Sequence, residues 1–346
     1  MARLGRVPPS GKLLDECRGT SVVPRGRKKY HPAKGQKSAP NSQATNYLLS
    51  PSAGENQTGR ERGKLGVEPL GSKGVARWLS RSGDLNLPGP IIFDIGCHTG
   101  EDSDFYLRKG FTVVAVEANP ALCVRLKQRF AQQISERRFF LIEKAIAENN
   151  GEVSFFINVD ASIWGTIRED WAQRNERRGA RSEKITVPSI RFSSLIEEFG
   201  VPYYLKIDIE GADSLCLDGL LRFESRPRFV SFEIEHWSLL RKEMSILAKL
   251  GYGKFKIVNQ GLVREQVPPQ PAREGIYVDY RFEDDASGLF GNELDGEWTS
   301  RGKVMAQLYL LIGRKIVTGV TRKLPAANRF APRHSSWYDM HAALSL

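Results

Sequence analysis

The string Asp94-Ile95-Gly96-Cys97-His98-Thr99-Gly100-Glu101 sets two acids and two glycines along one short turn. The apolar run Pro90–Ile95 leads into it as a buried strand, and Glu101–Lys109 leaves it as a helix closed by Gly110. A strand, a glycine turn and a helix start make a ligand site, because backbone N–H groups point outward and glycine allows close approach. A nicotinamide or flavin turn wants GxGxxG. Here the spacing is D-x-G-x-x-x-G, and His98 replaces the middle glycine. An acid at the strand end repels phosphate and attracts a cation. S-adenosylmethionine carries a sulfonium and an ammonium and no phosphate, so charge favours it as the ligand. Glu117 ends the next apolar strand, Thr112–Val116, and can accept both ribose hydroxyls. NAD would share that last feature.

These residues need a scaffold, and the chain supplies alternating strands and helices. Asn119 and Pro120 open a helix as N-cap and first-turn proline, with Leu122, Leu126 and Phe130 on one face. Arg138–Glu143, Gly151–Asn158, Tyr203–Ile207, Phe229–Ile234, Phe255–Val258 and Ile276–Tyr280 read as further extended pieces. Helices are expected over Ser193–Phe199, from Ala212 to about Phe223, and over His236–Leu250. Apolar strands alternating with helices predict an α/β fold with a mostly parallel central sheet, covered by helices on both faces.

The 346 residues carry a net charge of +11, unevenly spread. Residues 1–90 hold 16 Lys/Arg and 6 Asp/Glu, residues 91–313 hold 29 and 33, and residues 314–346 hold 6 and 1. The middle is mildly acidic, so nucleic acid is not expected as the partner of the domain. Residues 1–70 are rich in Gly, Pro, Ser, Arg and Lys and read as a disordered basic tail. The domain is expected over 72–313, with a basic C-terminal tail over 314–346. The four cysteines (Cys17, Cys97, Cys123, Cys216) show no CxxC spacing, which argues against a zinc module or disulfide scaffold. No apolar run reaches the ~20 residues of a membrane span and no secretory leader is evident, so a cytoplasmic protein is expected.

Tyr204-Leu205-Lys206-Ile207-Asp208-Ile209-Glu210-Gly211-Ala212-Asp213 resembles the LKIDxEGxE signature of the FkbM-type methyltransferases. FDIGCHTGED at 93–102, VVAVEANP at 113–120 and EKAIAENNGEVSFF at 143–156 fit in order, and the similarity runs over about residues 90–280. The resemblance implies a Rossmann-like class I methyltransferase fold, S-adenosylmethionine as donor, and a hydroxyl on a sugar or natural product as acceptor. Carried over by position, it implies donor contacts from Asp94, Gly96, Gly100, Glu117, Ala118, Asn119, Lys144, Ala145 and Ile146; Cys97 and His98, within the same loop, are taken as candidate donor contacts beside them. The family often has Ala-Asn after the first glycine, where this chain has Cys97-His98.

Transfer from a sulfonium needs an aligned acceptor and can use a base. No [DNS]-PP-[YF] string and no Pro-Cys dipeptide is present, which argues against adenine amino and pyrimidine C5 acceptors and leaves oxygen. Asp208 and Glu210 at a strand tip, and His236 after Phe232-Glu233-Ile234-Glu235, are the candidate catalytic groups. Each has a plain structural alternative: Asp208 as a helix N-cap, Glu210 as an acid favourable to a helix dipole, and His236 as a helix-start histidine exposed to water. His98 is expected to matter through its backbone. Asp208, Glu210 and Asp213 offer hard oxygen donors, but strand-end acids are usually solvated, and no metal is expected. Ser162 and Trp164 are candidate acceptor contacts in a lid, ahead of an Arg-rich segment that reads as a surface helix. The Asp284–Trp298 stretch is expected as a second mobile loop. Two other readings remain: an RNA methyltransferase using the basic tail, and a donor-binding module without turnover.

Overall fold

The computed structural model describes residues 87–160, 162–321 and 337–344. The expected tail at 1–70 lies outside the described residues.

The first strand, β1 (Ile91–Ile95), is buried along its whole length, as is β2 (Thr112–Val116). Both faces are covered, so apolar residues need not alternate with polar ones. Ile91, Phe93 and Ile95 enter one core, and Ile92 enters the other. The remaining strands of the main sheet are β3 (Phe139–Ile142), β7 (Tyr204–Ile207), β8 (Phe229–Glu233), β9 (Tyr252–Asn259) and β10 (Tyr338–Leu344). Their order is β3-β2-β1-β7-β8-β10-β9. β1 pairs in parallel with β2 and β7, and only β10 runs against its neighbours. This largely parallel sheet with one reversed strand near its end, flanked by helices, is a Rossmann-like class I methyltransferase fold.

Helix α1 (Glu101–Arg108) starts after Gly100, whose φ of 83° is left-handed. Glu101, Asp102 and Asp104 in its first turn suit the positive end of the helix dipole. Helix α2 (Pro120–Arg129) is capped by Asn119, whose side chain accepts from the Ala121 N–H at 3.0 Å. After the short α3 (Ala131–Ser135) comes a second sheet, ordered β4-β6-β5, from β4 (Ala145–Ile146), β5 (Gly151–Asn158) and β6 (Ser182–Ile190). It carries a 3₁₀ turn at Ser162–Trp164 and helix α4 (Glu169–Arg177). Helices α5 (Phe192–Phe199), α6 (Ser214–Leu220), α7 (Trp237–Lys249) and α8 (Arg301–Thr321) complete the chain. Leu240, Met244 and Leu247 of α7 are buried in one row, as their spacing predicts.

Three sequence expectations are corrected. Ile276–Tyr280 is not a strand. It lies along α1 instead, with the Ile276 N–H donating to the carbonyl of Lys109, the helix's C-cap, at 3.0 Å and the Tyr280 side-chain hydroxyl to the Glu101 carbonyl at 3.1 Å. Asp284–Trp298 is a packed plug rather than a mobile loop, and it reaches the crevice through Asp285. Phe290 is fully buried and stacks on Tyr204 at 4.6 Å, and Glu293 pairs with Lys109 at 2.7 Å where both side chains are fully buried. Third, the 314–346 segment does not lie wholly outside the domain. Its end is β10, inserted between β8 and β9, with Met340 and Ala342 fully buried. Small and apolar side chains let a strand pass through a sheet covered on both sides. The basic residues of that segment precede the strand.

No helix among the described residues is long and apolar enough to cross a membrane.

Because β10 lies between β8 and β9 and pairs with both, its core residues should control stability. Met340→Ala should cost about 2–5 kcal/mol and lower the thermal midpoint by roughly 5–15 °C in a calorimetric melt. Removing 337–346 should abolish the cooperative transition.

Candidate functional site

Ligands of open α/β sheets bind beyond the carboxyl ends of the strands. There, a cleft of about 810 Å³, counting the solvent at its mouth, lies between the β1 and β2 tips, the tip of β7, and the 162–167 turn of the second sheet. Gly96, Cys97, His98, Glu117, Ala118, Asn119, Lys144, Ala145, Ile146, Ser162 and Asp208 all line it. The sequence therefore brings most of its candidates to one place.

The turn after β1 is built by close approach. A Cβ on Gly96 would lie 1.9 Å from the Asp208 carbonyl oxygen, and one on Gly100 would lie 2.5 Å from the Phe130 ring. Gly96 thus lets the β1 and β7 loops touch, and Gly100 seats the loop on α2's core. Within the turn, four N–H groups are already engaged. Those of Gly96 and Cys97 donate to the Val116 carbonyl, that of Gly100 to the Cys97 carbonyl, and that of His98 to the Glu117 carboxylate. These four amides are not free to cradle a phosphate.

Glu117 is buried, and its two oxygens accept from the His98 N–H at 3.0 Å and the Asn119 N–H at 2.7 Å. A carboxylate has about four acceptor positions, so each oxygen keeps capacity for a hydroxyl. Burial pushes its pKa up to about 7, against the backbone N–H donors that favour the charge. Beside it, Val116, Ala145, Ile146, Phe155 and Ile163 form an apolar wall. A bidentate acid next to an apolar slot fits a nucleoside, and the engaged turn fits one without a pyrophosphate.

Asp94 does not face the cleft. It is fully buried, accepts from Ser103 Oγ at 2.6 Å and pairs with Lys206 Nζ at 3.2 Å. The simple view of Asp94 as a free charge attracting a cation is corrected: its charge is matched inside the protein. Lys206 also reaches Asp102 at 3.4 Å and Asp208 at 3.7 Å. Burial alone would lower its pKa, but the three carboxylates outweigh burial and hold the ammonium well above its ordinary value. Asp102 is pushed up to about 6 by burial, despite Lys206 and the donating N–H groups of Ser287 and Gly288. Asp208 is the accessible member, with its side chain 42% exposed at the cleft.

Three candidates fall elsewhere. His236 caps α7, its Nδ1 accepting from the Ser238 N–H at 3.3 Å, and it does not line the cleft. Trp164 also stays out, while its neighbour Ile163 turns in. Glu210, at a left-handed φ of 49°, turns away towards Glu233 and Glu235. The oxygens of those three acids lie within 4.8 Å of one another, and Arg174 approaches Glu210 at 3.4 Å. Both Glu235 oxygens are buried without a well-formed hydrogen bond.

Lys206, Asp102, Phe155, Thr166 and Asp285 line the cleft and were missed from the sequence. Lys206 was detectable, because a lysine inside an apolar strand needs a buried partner.

A family model for the methyltransferase FkbM domain matches residues 94–253. Residues 94–253 form an FkbM methyltransferase domain. The protein is an S-adenosylmethionine-dependent methyltransferase. A curated relative, the 2-O-methyltransferase NoeI of Sinorhizobium fredii (strain NBRC 101917 / NGR234), is 27% identical over 188 residues, covering 51% of this chain and 76% of its own. Among solved structures, precorrin-6y C5,15-methyltransferase from Geobacter metallireducens GS-15 aligns with a TM-score of 0.33 at 12% identity, over 78% of this chain and 87% of that one. Magnesium protoporphyrin IX methyltransferase (ChlM) from Synechocystis PCC 6803, with bound SAM, aligns at 0.29 and 12% identity, over 54% and 68%. The fold assignment rests on the strand order, not on these low scores.

Two outcomes follow for the FkbM domain. Glu117→Ala should weaken donor binding by about 10–100-fold in calorimetry, the worth of hydrogen bonds to a charged group, without changing the far-ultraviolet dichroism. The acid cluster should make stability fall with pH. Burial and neighbouring acids raise Glu233 from 4.5 to about 9, and burial raises Glu235 from 4.5 to about 7. A raised carboxyl stabilises the fold fully below its unfolded pKa, and that contribution is lost as pH climbs through the folded value. Glu233→Gln should therefore raise the melting temperature by about 2–6 °C at pH 9 and leave it nearly unchanged at pH 4.5. A pH-independent effect would exclude this titration.

Proposed function

We propose that the protein transfers a methyl group to a hydroxyl oxygen of a small molecule or sugar. The observation that carries this reading is the division of the cleft: a nucleoside-type half at Glu117, Ala145, Ile146 and Phe155, and a polar mouth at His98, Ser162, Asp208 and Asp285. The similarity to a 2-O-methyltransferase supports the same acceptor class.

The donor supplies an electrophilic methyl group on a sulfonium. In this reading Glu117 holds the ribose, while the Ala145–Ile146 wall and Phe155 cover the base. Cys97, Ala118, Asn119 and Lys144 shape the pocket around it. Asp94, Gly96 and Gly100 act from beneath, by fixing the turn. Asp208 accepts a hydrogen bond from the acceptor and orients it, with the Lys206 ammonium 3.7 Å away on its other side. Glu210 and His236 have no direct part, and Ser162 replaces Trp164 as the acceptor-side contact. A cytoplasmic location belongs to the same proposal.

The test is to supply the full-length protein with methyl-labelled S-adenosylmethionine and a panel of hydroxylated sugars and natural products, and to locate the label by mass spectrometry and NMR. A methyl ether is the expected product. Label on nitrogen or carbon, or donor binding with no turnover on any acceptor, would sink the reading. Asp208→Asn should lower kcat by about 10–100-fold while donor affinity stays within a few-fold; equal loss of both would remove its role in orienting the acceptor.

A further inference from the structure

His98 was expected to contribute only its backbone, yet its ring lines the cleft. Its Nε2 lies 2.8 Å from Ser162 Oγ, on the 3₁₀ turn of the second sheet, and its Nδ1 lies 3.4 Å from Thr99 Oγ1. We propose that His98 and Ser162 form the proton-accepting pair of the methyl transfer, with Ser162 at the acceptor and His98 behind it. The proposal rests on the hydroxyl-acceptor reading above.

Three features support it. First, the pair is held at a fixed place. His98 sits at a φ of 51°, with its N–H bonded to the Glu117 carboxylate, so the ring is tied to the residue assigned to the ribose. Second, the competing bases are occupied: Asp208 lies beside the Lys206 ammonium, and His236 is spent as a helix cap. Third, the imidazole is neutral at neutral pH. It is half-buried, and burial lowers its pKa below 6.5. Asp285, Asp208 and Glu101 act to raise that pKa, Lys206 acts to lower it further, and burial prevails.

The proton balance is direct. The acceptor oxygen forms its bond to the methyl carbon as the bond from sulfur to that carbon breaks, leaving a neutral thioether. The acceptor proton passes to Ser162 Oγ while the Ser162 proton passes to His98 Nε2. The imidazolium then returns its proton to water at the open mouth of the cleft. This route requires the tautomer with hydrogen on Nδ1, facing Thr99 Oγ1, and a bare Nε2 facing Ser162.

The first measurement needs no acceptor. ¹⁵N NMR of the full-length protein at pH 7.5 should show a bare Nε2 on His98, and its pKa should move in Ser162→Ala. Hydrogen on Nε2 would overturn the proposal whatever the acceptor is. The second measurement uses an acceptor found in the panel. His98→Asn, which suits a left-handed backbone, should keep donor affinity within about threefold. It should lower kcat by about 100-fold and erase the acid limb of the pH profile, which in the parent falls below pH 6.5. Ser162→Ala should lose a similar factor, with no further loss in the double variant, and Ser162→Thr should recover most of it. Unchanged kcat and an unchanged profile in His98→Asn would overturn the proposal while leaving the hydroxyl acceptor in place. Absence of any methyl ether from the parent would count against the hydroxyl reading, and the tautomer would still decide the pair.

Discussion

One buried ammonium organises the ligand end of this sheet. Lys206 has a side chain only 5% exposed and reaches Asp94 on β1, Asp102 on α1 and Asp208 past the end of β7. Asp94 and Lys206 are also directly paired residues in the β1–β7 register. A slip of one residue in β7 would turn Lys206 to the opposite face and leave both charges buried without their partner. The ion pair therefore fixes which residues of β7 reach the cleft. Removing one partner of such a buried pair commonly costs about 3–5 kcal/mol, because the other charge is left uncompensated.

The network extends beyond the strands. Asp102 accepts the Ser287 and Gly288 N–H groups, so the same cluster anchors the segment that carries Asp285 to the cleft. The next residues, Leu289 and Phe290, are buried, and Phe290 stacks on Tyr204, two residues before Lys206. Charge fixes the position of this plug and aromatic packing fills the space behind it. The polar mouth of the cleft thus belongs to the rigid part of the molecule on that side. On the other side, the second sheet meets it through the His98–Ser162 contact.

What was legible in the sequence was local. Asp94 to Glu101, Glu117 and the Asn119-Pro120 helix start are short strings whose roles depend on neighbours in the chain, and the strands beside them are apolar throughout. What was not legible depended on distant partners. β6 opens on Ser182-Glu183-Lys184 after an Arg-rich helix and contains Pro188, and pairing with β5 and β4 makes it a strand. β10 follows a basic stretch and is strand-forming because β8 and β9 leave a gap for it. Ile276–Tyr280 has strand-like composition, but it is held along α1 by the Ile276 N–H and the Tyr280 hydroxyl. Asp94 was read correctly as special and wrongly as a free charge, because its counter-charge lies 112 residues away.

The division between near and distant also separates the two halves of the cleft. The groups assigned to the donor come from the β1 turn, the end of β2, the short β4 and Phe155 of β5, all within residues 94–155 and all inside the matched FkbM domain. The mouth is assembled from Ser162 in the 3₁₀ turn after β5, Asp208 beyond β7, and Asp285 from a plug outside that domain. A change in the plug can alter the mouth without touching Glu117 or the apolar wall, whereas the turn contributes Ile163 to that wall as well. Donor recognition is thus a property of the strand tips, and acceptor choice a property of what the chain packs around them. His98 is the exception, because its backbone belongs to the first group and its ring to the second. A residue so placed can align proton transfer with a bound donor, since the hydrogen bond that ties it to Glu117 also fixes where its ring meets Ser162.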